Sequence, residues 1–164
     1  MSELWDYYAT RSEVEAVIAA ARQARLRAVV GAASEFGATD RGWVCVYTEG
    51  KGICSIGEVV LYFFDHNAAA WSFEVWRNGE SLGRAVFGEN PETGAKDEGF
   101  EGDLAAIARA LGVTEGRLER TFGTSDSTKF LRLLGLSLPP MGILEVMRDA
   151  PPGVSRLSDL GVAG

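Results

Sequence analysis

Histidine occurs once in this chain, at His66, and cysteine only twice, at Cys45 and Cys54. A zinc site takes three or four ligands, and neither Cys-x-x-Cys nor a His pair is present to supply them. Cations are also in the minority: 16 Lys and Arg stand against 23 Asp and Glu, a formal charge of −7. Such a balance argues against nucleic acid and anionic membranes, both of which select a basic field. No apolar run approaches the roughly 20 residues of a membrane-spanning helix. Residues 1 to 30 lack the uninterrupted apolar core of a secretion signal, so a cytoplasmic protein with two reduced thiols is expected. Gly-x-Ser-x-Gly, the Walker loop and Gly-x-Gly-x-x-Gly are all missing. No metal or cofactor is therefore expected.

What is present suits one globular domain: 164 residues, 46% hydrophobic and 24% charged. The densest information lies in residues 58 to 87. Val59 to Phe64 is a continuous apolar run of β-branched and aromatic residues, too short for a helix and suited to a buried strand. Asp65, His66 and Asn67 break it. From Trp71 the pattern alternates, with Phe73 and Val75 on the face of Trp71 and Ser72, Glu74 and Trp76 on the other. Asn78-Gly79 then signals a hairpin, because both residues tolerate positive φ. A turn centred there places Arg77 opposite Glu80, Trp76 opposite Ser81, Val75 opposite Leu82 and Phe73 opposite Arg84.

Residues 1 to 10 read as an aromatic arm whose Trp5, Tyr7 and Tyr8 dock on the body or on a second subunit. Residues 11 to 37 read as a helical region. Ser12 and Glu15 fit a capping box, Val14, Val17, Ile18 and Ala21 form one apolar face, and Leu26, Val29, Val30, Ala33 and Phe36 form a second, out of phase with the first. Arg22, Arg25 and Arg27 are the one basic cluster and read as the wet face of that region. Residues 42 to 87 form the sheet, opening with Trp43, Cys45 and Tyr47 opposite Val44 and Val46. Residues 88 to 102 read as an acidic loop, with Glu89, Glu92, Asp97, Glu98 and Glu101 against Lys96; they lack the spacing of an EF-hand. If any region contacts a partner as a lid, it is this one. Residues 103 to 148 read as short helices capped by Asp103 and Thr114 and closed by Gly112, Gly123 and Gly135, and residues 149 to 164 as a surface tail. The expectation is α+β: an antiparallel meander of four to five strands, an N-terminal helical region and three to four short C-terminal helices.

LAAIARALGVTEGRLERTF, residues 104 to 122, resembles the helix-turn-helix of bacterial DNA-binding regulators, with Ala108, Gly112 and Leu118 at the small, turn and apolar positions. That resemblance implies a regulator whose second helix reads DNA. The helix mixes Glu115 and Glu119 with Arg117 and Arg120, which suits a packed structural pair better. The whole layout is similar in outline to small bacterial α+β proteins, including immunity-type inhibitors of toxins. For catalysis the candidates are His66, Asp65 and Glu74, which need to converge on one pocket to act as a hydrolase or ligand site. For partner binding they are Trp5, Tyr7, Tyr8 and Trp76. Trp76 is a solvent-facing anchor if helices cover one side of the sheet and core if they cover both. The expected function is a non-catalytic protein-interaction module, self-association included. A helix-turn-helix regulator and a small hydrolase near His66 are the alternatives.

Overall fold

The computed structural model describes residues 5–36, 42–48, 56–65, 70–88, 99–122, 127–136 and 155–157. Of the expected features, His66, Cys54, Gly123, the acidic residues 89–98 and the last of the expected short helices, within 137–148, lie outside them. So does the Trp5 side chain.

The fold is α+β, built, among the described residues, on one antiparallel sheet of eight strands. The strands are Trp5–Thr10 (β1), Ala28–Ala32 (β2), Val44–Thr48 (β3), Val59–Asp65 (β4), Ala70–Arg77 (β5), Glu80–Gly88 (β6), Gly99–Gly102 (β7) and Ser155–Leu157 (β8). Their spatial order is β7-β6-β5-β4-β1-β3-β2-β8. Helix Val14–Gln23 (α1) packs on one face; Leu104–Leu111 (α2), Glu115–Glu119 (α3) and Thr128–Leu134 (α4) pack on the other.

Alternation along the strands sorts side chains between two cores. Trp43, Cys45 and Tyr47 enter the core under α2 to α4, and Val44 and Val46 enter the core under α1. Phe130 of α4 stacks on Phe73 at 4.5 Å between ring centroids and lies 5.1 Å from Trp71. The Trp43 indole donates from Nε1 to the Leu134 carbonyl at 2.8 Å, and the Arg11 guanidinium donates to the Leu111 carbonyl at 3.2 Å. Each bond satisfies a carbonyl that a helix end leaves without an intrahelical partner, so α2 and α4 are tied to the sheet at their C-termini. Arg11 also covers the Trp43 ring, 4.4 Å from its centroid.

Three expectations are corrected here. Residues 5 to 10 are not an arm: they form β1, which lies inside the sheet, antiparallel to β3 on one side and β4 on the other. Residues 26 to 32 are not helical, and only a short 3-10 turn, Ala33–Phe36, follows them. The helix starts at Val14, after Glu13 and with no side-chain cap bond, and it ends where Arg25 turns to φ 57°. Arg25 N–H then bonds the Arg22 carbonyl and Leu26 N–H the Ala21 carbonyl. Beyond this stop Ala28 and Val30 are buried in one core and Val29 in the other. A strand buried on both faces is apolar throughout, so its helical spacing was incidental. Residues at the ends of the acidic loop and the tail also pair: β7 joins β6 and β8 joins β2. Strands with partners far along the chain raise the count above the expected four to five.

The hairpin turns at Asn78 and Gly79, with φ 51° and 82°. Arg77 faces Glu80 and Trp76 faces Ser81, as expected. The register then shifts, so Val75 faces Gly83, Glu74 faces Arg84 and Phe73 faces Ala85. Leu82 is the extra residue of a bulge that Gly83 makes possible, at φ 148°. A Cβ on Gly83 would lie 2.4 Å from the Glu101 carbonyl oxygen.

Candidate functional site

One row of residues crosses all eight strands in register: Ser155, Val30, Val46, Tyr8, Tyr62, Glu74, Arg84 and Glu101. From Val30 to Glu101 the side chains of this row share the face on which α1 packs. Among the described residues, the helical cover of this face comes from α1, through Val17, Ile18 and Ala21 over β2 and β3. Along the row the chemistry passes from aliphatic under α1, through the Tyr8–Tyr62 ring pair at 4.7 Å, to charge. Arg84 Nε donates to Glu101 at 3.2 Å, with the two side chains 61% and 75% exposed. Glu74 accepts from the Ser81 hydroxyl at 2.8 Å. Phe64, Ser72, Trp76 and Val86 are half-buried on the same face. A groove of about 290 Å³ follows the bulge, its walls Glu74, Ser81, Arg84 and Glu101 and its floor opened by Gly83 and Gly102.

The structure separates the expected catalytic residues. Asp65 points to the core under α4, where its carboxylate accepts a hydrogen bond from the Ser127 hydroxyl; Asp65 is 4% and Ser127 1% exposed. Glu74 stands on the opposite face, beside Tyr62 and Arg84. The sheet lies between the two carboxylates, so they do not form one pocket. His66 follows Asp65 in sequence but lies outside the described residues. Among the described residues, no group of three His, Cys, Asp or Glu side chains could hold a metal ion.

The expected partner-binding aromatics also divide. Tyr7 is 1% exposed, ringed by Tyr47 and Phe63 at 5.4 Å each, and is therefore core and not a surface anchor. Burial, and then the neighbouring Cys45, hold its hydroxyl well above the usual tyrosine range. Burial likewise pushes the Cys45 thiol up to about 12, which leaves it inert. Tyr8 is half-buried on the α1 face. Trp76 packs against the edge of the α1 core, between Val60 and Ser81, and is half-buried, intermediate between the two alternatives.

The helix-turn-helix resemblance meets a short second helix. Asp103 and Thr114 cap α2 and α3 as expected, and Gly112 closes α2 at φ 75°. Yet α3 has five residues, about 7.5 Å of helix at 1.5 Å per residue. Ile107, Leu111 and Leu118 are spent on the sheet, and the exposed side of α3 carries Glu115, Arg117 and Glu119.

Sequence reasoning passed over Tyr62, Ser81, Arg84 and Glu101. A glycine inside a strand pattern marks a bulge, so Gly83 was the available signal that Arg84 pairs with Glu74 and not Phe73. No family model, curated protein or solved structure matches the chain. Among the described residues, no helix is long and apolar enough to cross a membrane.

Proposed function

We propose that this chain is a non-catalytic protein-interaction module that works in the cytoplasm and receives a polypeptide partner on the β4 to β7 half of the α1 face. One observation carries the reading: Tyr62, Glu74 and Arg84 adjoin in register on β4, β5 and β6, with Tyr8 and Trp76 beside them at the edge of the core that α1 covers. Rigid aromatic anchors beside a polar rim are the composition of interface centres and their borders. The separation of Asp65 from Glu74 by the sheet supports the non-catalytic side of the reading.

The test is affinity capture from a lysate of the source cells with three baits of matched folding: wild type, Tyr62→Arg and Arg84→Glu. The expected result is a protein retained by wild type, weakened by Arg84→Glu and lost with Tyr62→Arg, while circular dichroism spectra superimpose. Retention that is indifferent to both substitutions overturns the assignment of this face.

A further inference from the structure

We infer that the outer edge of β7 takes an extended, basic segment of a partner protein as a ninth strand. The inference deepens the interaction reading above and rests on it.

Among the described residues β7 is terminal in the strand order, paired with β6 on its inner side. A terminal strand carries backbone N–H and C=O groups directed away from the sheet, which is the template for strand addition. β7 is also held close to its neighbour. A Cβ on Gly102 would lie 2.4 Å from the Gly83 Cα, and Asp103 N–H bonds the Leu82 carbonyl at 3.0 Å. The edge is thus anchored where α2 begins.

The two faces of β7 specify different chemistry. Phe100 is half-buried on the helix-covered side, its ring 5.9 Å from Phe122 and packed at the margin of that core. An added strand that places an apolar side chain next to Phe100 extends this margin. On the opposite face Glu74, Arg84 and Glu101 alternate in sign outward along one row. The next position outward adjoins Glu101, where a cation continues the alternation and an anion opposes it. A partner strand alternating apolar and basic residues fits both faces.

A second copy of this chain fits poorly. Edge-to-edge pairing of β7 brings two exposed Glu101 carboxylates onto one four-residue ladder in a protein already at −7. The charge that selects a basic strand therefore also protects this edge from its own kind.

The experiment titrates the full ¹⁵N-labelled chain with a capped peptide of alternating lysine and valine, and with its glutamate–valine counterpart. The expected result is saturable amide shifts at Gly99, Phe100, Glu101 and Gly102 with the lysine peptide, and binding weaker by about tenfold or more with the glutamate peptide. Glu101→Lys, at an exposed position, is expected to invert that order without altering the rest of the spectrum. Equal binding of both peptides, or no shift at β7, overturns the inference. A dimer by light scattering that the lysine peptide does not dissociate also overturns it, since the edge then belongs to a second copy. Shifts confined to Tyr8, Tyr62 and Trp76 overturn the edge assignment and leave the face reading standing. Charge-selective binding at β7, with capture unchanged in Tyr62→Arg, does the reverse.

Discussion

The Asp65 carboxylate accepts a hydrogen bond from the Ser127 hydroxyl, across 62 residues of chain, and both groups are buried. The bond joins the end of β4 to the start of α4. Ser127, at the N-cap position, holds helical φ −73° and ψ −8° in place of the extended conformation of a capping residue, and its side chain makes no capping bond with its own helix.

Ser127→Ala leaves a buried carboxylate without that donor. Orphaning a buried polar group costs about 1–3 kcal/mol, with charged groups at the upper end. The expected outcome is a lower urea midpoint at unchanged slope. Asp65→Asn, which keeps an acceptor oxygen, is expected to cost less. Equal stability of Ser127→Ala and wild type would mean that the bond contributes nothing.

Removal of residues 1 to 10 deletes a strand that lies between β3 and β4. Both neighbours lose a full ladder of hydrogen bonds and the core loses Tyr7 and Ala9. The truncated chain is expected to show the dispersionless amide spectrum of an unfolded protein. A folded truncated monomer would contradict the sheet order.

Arg25 holds φ 57° at the end of α1 and is exposed. A left-handed conformation costs a side-chain-bearing residue about 1–2 kcal/mol, and glycine returns part of that gain through the entropy of the unfolded chain. Arg25→Gly is expected to stabilise by roughly 0.5–1 kcal/mol, read from thermal or urea denaturation. Arg25→Val is expected to destabilise.

Cys45 is held up to about 12 from 9.0, and Tyr7 is raised above 10.0. Both groups are neutral when protonated, and in the native core they resist ionisation while the unfolded chain ionises freely. The contribution of these two groups to stability is therefore level below about pH 9 and falls as pH rises from there toward 12, first through Cys45 and then through Tyr7. Urea midpoints measured across this range check the direction. In a Cys54→Ser background, thiol labelling of native Cys45 at pH 8 is expected to wait on unfolding.

Local chemistry was legible in the sequence wherever a few adjacent residues decide the geometry. Asn78-Gly79 turns the chain, Asp103 and Thr114 start helices, Gly112 and Gly135 end them at positive φ, and alternation assigns Trp43, Cys45 and Tyr47 to one core with Val44 and Val46 in the other. Those features obey rules of period and φ that operate within a turn or a strand. Tertiary structure alone decided which strands meet. β1 gains its partners from β3 and β4, β2 becomes a strand because both of its faces are buried, and β7 exists through its pairing with β6. It also decided that Asp65 and Glu74 stand on opposite faces, since the register of β4 on β5 sets their relation and no local signal encodes it. Pairing energy is gathered from residues distant in the chain, so a stretch such as Leu26 to Ala32 shows helical spacing until the neighbours that bury it are in place.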